Sequence, residues 1–98
     1  MEITNVGSKV TIQGNIKSVG DHQKIKNLLD SVSQDSTSIT IDLKDSISIT
    51  SSVIGYLIKL IHKDNINISM KVGDIRLYDL LDDLNLISTF NAKKTLSS

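Results

Sequence analysis

The stretch ITIDLKDSISITSSVIGYLIKLIH, residues 39–62, determines the predicted fold of this chain. Its first part, residues 39–43, alternates apolar and polar side chains, which is the period of a strand with one buried face. From Val53 onward the apolar residues follow the spacing of an amphipathic helix instead. The stretch therefore predicts a strand, a short extended connection and a helix, with a serine pair, Ser51 and Ser52, at the junction.

The connection and the first helical turn carry the residues of most interest. Ile47 and Ile49 continue the alternation and are predicted to share one face. Thr50 stands where Ser, Thr, Asp or Asn side chains accept hydrogen bonds from the first N–H groups of a helix. Because the N-terminal N–H groups have no partner inside the helix, Ser51 and Ser52 lie at a polar, electropositive end. We therefore expect function at this junction, and helix capping alone is the alternative explanation.

The N-terminal part of the chain predicts a strand segment and a first helix. Gly7 marks a turn ahead of residues 9–13, which alternate in polarity, so this part is either a short hairpin or a bent strand. Ser18 and Asp21 form a capping-box pattern. The helix that they begin is predicted over residues 19–33, and its apolar stripe includes its first residue, a valine.

The C-terminal part predicts another strand and helix. Residues 66–72 alternate most clearly, and Asp74 is predicted to cap a helix over about residues 75–84. Residues 87–90 predict either a short strand or a final packed turn. The polar tail, residues 92–98, is expected to fray at its end.

The order of these elements predicts an α/β fold. Strands that alternate with helices need crossover connections, which favours a mixed, mainly parallel sheet of four to five strands. Polar residues at every second strand position indicate two layers, with helices on one face and water on the other. At 98 residues the chain is predicted to be one domain, residues 1–98.

The composition narrows the function classes. Lys plus Arg and Asp plus Glu both number 11, so the zero net charge predicts no nucleic-acid partner. The chain has no cysteine, which excludes disulfides, thiol catalysis and cysteine-bound metal. It contains no secretion signal and no run of about 18 apolar residues, so a cytoplasmic protein without direct membrane insertion is expected.

No catalytic chemistry is predicted. His22 and His62 lie far apart without other potential ligands beside them, so neither predicts a metal site. Asp79, Asp82 and Asp83 lie on the polar side of the predicted third helix, where carboxylates are normally solvated. Without a nucleophile and base in a recognisable order, we expect no enzyme, no metal and no cofactor.

The central stretch and the order of elements resemble the STAS domain of anti-sigma factor antagonists. The family pattern is an apolar strand that ends in Asp-Leu, a second apolar segment, and Asp-Ser-Ser-Gly-Leu-Gly before a helix. A terminal helix and a closing segment follow it. The corresponding segments here are residues 41–43, 47–49, 50–57, 77–81 and 84–86, followed by Phe90.

Two residues depart from the family pattern. Thr50 replaces the acidic residue before the first serine, and Val53 replaces the glycine after the second. Both are compatible with the fold, because Thr can cap a helix and Val costs little in a first turn. Both change the charge and shape of the loop that a kinase would contact.

The resemblance implies a non-enzymatic, phosphorylation-regulated partner switch. Ser51, with Ser52 as the alternative, would be phosphorylated by a histidine-kinase-like serine kinase and dephosphorylated by a serine phosphatase. The chain would bind an anti-sigma factor or that kinase when Ser51 is free and release it when Ser51 is phosphorylated. The alternative is a constitutive, unphosphorylated STAS scaffold subunit, for example of a lipid-transport ATPase complex.

The expected contact surface comprises the helix that carries Ser51 and Ser52 and two neighbouring loops, residues 16–20 and 45–48. Because the chain has one Phe, two Tyr and no Trp, transient contacts are expected and the chain is a monomer or a weak dimer. Gly55 is predicted to let the helix approach the sheet closely. Tyr56 is predicted to lie half-buried at the rim of the core or to contact the partner. The predicted partner-binding residues are Thr50, Ser51, Ser52, Val53 and Tyr56.

Overall fold

The computed structural model describes residues 1–95, and the predicted fraying of the chain's end concerns residues outside this range. The described residues form one five-stranded sheet and four helices. In chain order the elements are β1 (Glu2–Val6), β2 (Lys9–Gln13), α1 (Val19–Asp35), β3 (Ser38–Leu43), α2 (Ser51–His62), β4 (Asn67–Val72), α3 (Ile75–Asp83), α4 (Ile87–Phe90) and β5 (Ala92–Lys94).

The sheet has the order β1-β2-β3-β4-β5 and is mixed. β1 pairs antiparallel with β2, whereas β2 with β3, β3 with β4, and β4 with β5 pair parallel. The predicted α/β class is confirmed. The parallel pairing holds for β2 to β5 and does not extend to the N-terminal strand, which returns directly through a two-residue turn.

That turn settles the choice between a hairpin and a bent strand in favour of the hairpin. Val6 pairs with Lys9 across the two turn residues, Gly7 and Ser8. Gly7 has φ +59°, a left-handed conformation that glycine adopts without steric cost. A glycine at the first turn position is typical of the tight turns whose twist matches that of paired strands.

The alternate apolar residues of β2, β3 and β4 are buried. In β4, Ile68, Met70 and Val72 are buried while the residues between them are exposed. The buried residues of β2, β3 and β4 stand beside one another in the pairing register, and they share one continuous hydrophobic core with the helices. The main helical contributors are Ile25, Leu29, Val32, Val53, Leu57, Leu60, Leu77, Leu81 and Phe90.

Local capping begins the first and third helices as predicted. At α1, the Asp21 N–H donates to Ser18 Oγ at 3.1 Å, and the Asp21 carboxylate accepts from the Ser18 N–H. At α3, Asp74 Oδ1 accepts from the Arg76 N–H at 2.8 Å. The valine that begins α1, Val19, is 84% exposed, so its predicted place on the buried stripe is wrong. It lies in the first turn, beyond the end of the core.

The C-terminal segment forms two short elements. Of the two alternatives for residues 87–90, the packed turn is correct, and Phe90 is fully buried there. A strand, β5, then follows in the part that was predicted as polar tail. Its single buried residue, Ala92, explains why the sequence pattern did not predict it.

The close approach that was predicted at Gly55 occurs at a different glycine. A β-carbon at Gly55 would meet no atom within 4 Å, because this residue lies on the exposed side of α2. A β-carbon at Gly73 would instead overlap the carbonyl oxygen of Lys44. The Gly73 N–H also donates to the Leu43 carbonyl at 2.9 Å, so the turn after β4 packs tightly against the end of β3. Over residues 1–95, none of the helices combines the length and apolar character needed to span a bilayer.

Candidate functional site

The first turn of α2 is organised by Thr50. Its backbone is extended, with φ −82° and ψ 154°, and its Oγ1 accepts a hydrogen bond from the Val53 N–H at 3.3 Å. Its carbonyl accepts from the Ile54 N–H at 3.0 Å. Capping therefore accounts for the hydroxyl of Thr50, but it does not account for the two hydroxyls that follow.

Ser51 and Ser52 begin the helix, as predicted, and both are exposed. Among residues 1–95, neither their backbone N–H groups nor their hydroxyls have a hydrogen-bond partner. Both serines thus present a hydroxyl and a free N–H group at the positive end of the α2 dipole. An anion attached there would meet donors and not carbonyl oxygens.

Two loops beside the serines are tied together by hydrogen bonds. The Gly14 N–H donates to Asp45 Oδ1 at 2.6 Å, and the buried Ser46 hydroxyl donates to the Gly14 carbonyl at 2.7 Å. The Ile47 N–H donates to Asn15 Oδ1 at 3.0 Å. The segment that leads into α1 and the segment that leads into α2 therefore lie side by side, as the predicted contact surface requires.

A shallow cleft of about 230 Å³ separates the N-terminal ends of α1 and α2. Ser52 lines this cleft, whereas Ser51 lies outside it. The residues that line it are Lys17, Ser18, Val19, His22, Thr50 and Ser52. The two serines therefore differ in surroundings, because Ser52 faces α1 and Ser51 does not.

Charged and polar groups surround the α1 side of the cleft. Asp21 Oδ2 accepts from the Lys17 N–H at 2.9 Å and from the Ser18 N–H at 3.3 Å, and these bonds hold the pKa of Asp21 below 3.8. The Lys17 side chain is exposed. His22 Nδ1 is buried and has no partner within residues 1–95.

Two of the predicted partner-binding residues lie in the core. Val53 is 2% exposed and Tyr56 is 7% exposed, so neither side chain belongs to the contact surface. The Tyr56 hydroxyl donates to the Asp30 carboxylate of α1, and its burial and this bond raise the pKa of Tyr56. The predicted rim position of Tyr56 is therefore wrong, because this residue joins α2 to α1.

Ile47 and Ile49 do not share a face. Ile49 is buried at 9% exposure, whereas Ile47 is 38% exposed. The connection is not a strand, and the side-chain bonds that anchor it interrupt the alternation. Ile47 and Val19 are therefore exposed apolar residues near the serine pair, although the sequence pattern placed both on buried faces.

Asp42, at the end of β3, forms an ion pair. It is 4% exposed, and its Oδ2 lies 3.1 Å from Lys44 Nζ. This buried carboxylate therefore has a cationic partner. In the part of the chain that the structure describes, no three His, Cys, Asp or Glu side chains form a group suited to a metal ion.

Comparison with known proteins adds no assignment: no protein-family model matches the chain, and no curated protein matches it. The resemblance to STAS domains stays a prediction from the sequence. The chemistry available at the site is that of two solvent-facing hydroxyls at a helix N-terminus. Such hydroxyls can accept a phosphoryl group or contact a partner.

Proposed function

We propose that this chain is a STAS-like, non-enzymatic regulator in the cytoplasm that switches partners when Ser51 is phosphorylated, with Ser52 as the alternative site. Its partner is an anti-sigma factor or a histidine-kinase-like serine kinase, and a serine phosphatase reverses the modification. The observation that carries the proposal is the exposure of both serines at the start of α2. The single sheet with buried alternate residues and helices on the core side supports the STAS-like architecture.

Phosphorylation at this position is compatible with the folded chain. A phosphoserine carries roughly −1.5 to −2 charges and three acceptor oxygens. Here it would meet the free N–H groups of Ser51 and Ser52 and the positive end of α2. Because neither hydroxyl has a hydrogen-bond partner among residues 1–95, its modification breaks no hydrogen bond there. The fold is therefore expected to persist in both states.

The same charge would act strongly on a docked partner. Exposed Val19, at the start of α1, and exposed Ile47, in the connection before α2, give apolar area on the expected contact surface. A phosphate placed within such a contact must lose water and is repelled by any carboxylate that faces it, which costs a few kcal/mol. Since each ~1.4 kcal/mol changes affinity tenfold, release by about 100-fold needs no conformational change.

Intact-mass measurement tests the modification. The purified chain is incubated with ATP and an extract of its native host. Its intact mass is then measured, and fragmentation locates any added phosphate. We expect one added phosphate on the wild type and on Ser69→Ala, an exposed serine of β4 that serves as the control. Ser51→Ala is expected to abolish phosphorylation. If Ser52 is the site used, Ser52→Ala is the variant that abolishes it. No phosphate on either serine would refute the switch.

A constitutive scaffold is the second candidate, and the first turn of α2 favours it in one respect. That turn contains no acidic residue, and Thr50 is engaged as the cap. A site that serves only docking needs neither an acidic neighbour nor a phosphate. A pull-down from the native host distinguishes the two candidates. A scaffold subunit of a lipid-transport ATPase complex is expected to bring down membrane ATPase components, whereas a switch is expected to bring down a kinase or an anti-sigma factor.

A further inference from the structure

The two edges of the sheet differ in how well they are protected against pairing. β5 has three residues, two of them the lysines Lys93 and Lys94, and both features commonly protect an edge strand. β1 has five residues in uninterrupted register with β2, so it has no bulge. It contains no lysine and no proline, and its one charged residue is Glu2. Within residues 1–95 no strand covers the outer side of β1.

The hairpin register identifies the backbone groups at that outer side. Val6 and Lys9 flank the two-residue turn, and such a pair exchanges both of its backbone hydrogen bonds. Because bonded and non-bonded pairs alternate along antiparallel strands, Thr4 also bonds inward to β2. The N–H and C=O groups of Ile3 and Asn5 therefore point away from the sheet.

We propose that β1 pairs antiparallel with β1 of a second copy of this chain, around a two-fold axis at Thr4. This register places Ile3 opposite Asn5 of the second copy, and Asn5 opposite Ile3 of the second copy. All the outward N–H and C=O groups of these two residues are then satisfied by four hydrogen bonds. The two sheets join into one of ten strands.

The side chains of β1 fit this register. Glu2 lies opposite Val6 of the second copy, which in turn pairs with Lys9 of that copy. Since paired residues point to the same side of a sheet, the carboxylate of Glu2 and the ammonium of that Lys9 lie on one side, across a single strand. No like charges stand opposite each other. Val6, which is 85% exposed in one chain, gains a covering neighbour.

The two-fold arrangement also limits the size of the assembly. A symmetric contact uses the same edge in both copies, so it closes at two chains. The edges that remain are the short, lysine-bearing β5 strands. An interface of one five-residue strand per copy is below the ~1,200 Å² of stable complexes, so the dimer is in rapid exchange with the monomer.

A cysteine cross-link tests the register directly, because the chain has no cysteine of its own. Thr4 would face Thr4 of the second copy in a non-hydrogen-bonded pair, with Cα atoms about 4.5 Å apart, which suits a disulfide. Thr4→Cys is expected to form a disulfide-linked dimer under mild oxidation. Ser69→Cys, exposed within β4 on the same solvent-facing side, is the matched control and is expected to stay a single chain.

Sedimentation of the full chain tests the unmodified contact. We expect a monomer–dimer equilibrium for the wild type and for Ser69→Lys, and about tenfold weaker dimerisation for Thr4→Lys, which sets two ammonium groups face to face. Circular dichroism checks that each variant is folded. The proposal would be overturned if the wild type stayed monomeric at millimolar concentration or if Thr4→Lys dimerised with unchanged affinity. It would also be overturned by assemblies larger than two chains or by equal cross-linking of the two cysteine variants.

Discussion

Thr50 contributes to stability through its side chain, because its Oγ1 accepts from the Val53 N–H at the start of α2. Thr50→Ala leaves the N–H group of Val53, a buried residue, without that acceptor. We expect a loss of about 1 kcal/mol in the free energy of unfolding, measured by urea denaturation. Thr50→Ser, which keeps the hydroxyl, is the control and is expected to lose much less. Equal losses in the two variants would show that the threonine methyl group is what matters.

Two glycines give opposite expectations for the same substitution. Gly73→Ala is expected to cost about 1 to 3 kcal/mol, because the new methyl group overlaps the Lys44 carbonyl and forces the turn after β4 to move. Gly55→Ala adds its methyl group where no atom lies within 4 Å and is expected to stabilise α2 by about 0.5 to 1 kcal/mol. Thermal unfolding distinguishes them. A stable Gly73→Ala variant would contradict the tight packing.

The start of α1 is predicted to depend on pH through Asp21. Hydrogen bonds from the Lys17 and Ser18 N–H groups lower the pKa of Asp21 from 3.8 in the folded chain. A lowered folded-state pKa means that the ionised carboxylate stabilises the fold. This contribution is complete above pH 3.8 and is lost as pH falls through the lower folded-state pKa.

Nuclear magnetic resonance titration of the Asp21 carboxyl group checks this expectation. The midpoint is expected below 3.8, and the difference in unfolding free energy between the wild type and Asp21→Asn is expected to shrink as the pH is lowered through that midpoint. A midpoint at or above 3.8 would show that the capping box does not hold the ionised form in solution.

The helix caps could be predicted from the sequence because they depend on neighbouring residues. Ser18 with Asp21, and Asp74 before α3, act over two or three positions, so their pattern is local. The strands β3 and β4 were also predictable, since burial on one side imposes a period of two. β5 was not, because an edge strand with one buried residue leaves no period to detect.

The environment of the site depended on contacts that the sequence pattern does not encode. Tyr56 is buried, and its hydroxyl donates to the Asp30 carboxylate, 26 residues earlier. Ile47 is exposed, and its backbone N–H donates to Asn15 Oδ1, 32 residues earlier. The position of the serine pair at the start of α2, in contrast, followed from the change of period there. Local patterns thus located the serines, and tertiary contacts determined which neighbours form the surface.

At the scale of the whole molecule, the two proposed surfaces differ in kind. The serine surface combines the start of α2 with two loops that Asp45, Ser46 and Asn15 tie together. The dimer surface is the backbone edge of β1. A change at Thr4 is therefore expected to leave phosphorylation of the serine pair unaffected, and the intact-mass assay on Thr4→Lys measures this directly. Loss of phosphorylation in a folded Thr4→Lys chain would show that the two surfaces are coupled.

The central claim is that negative charge at the start of α2 releases a partner without unfolding the chain, and affinity capture from the native host tests it most directly. Immobilised wild type, Ser51→Ala, Ser51→Asp and the control Ser69→Asp are compared by quantitative mass spectrometry of the bound proteins. We predict that the wild type, Ser51→Ala and Ser69→Asp recover the same kinase or anti-sigma factor, and that Ser51→Asp recovers at least about tenfold less. Equal recovery by Ser51→Ala and Ser51→Asp would contradict the account.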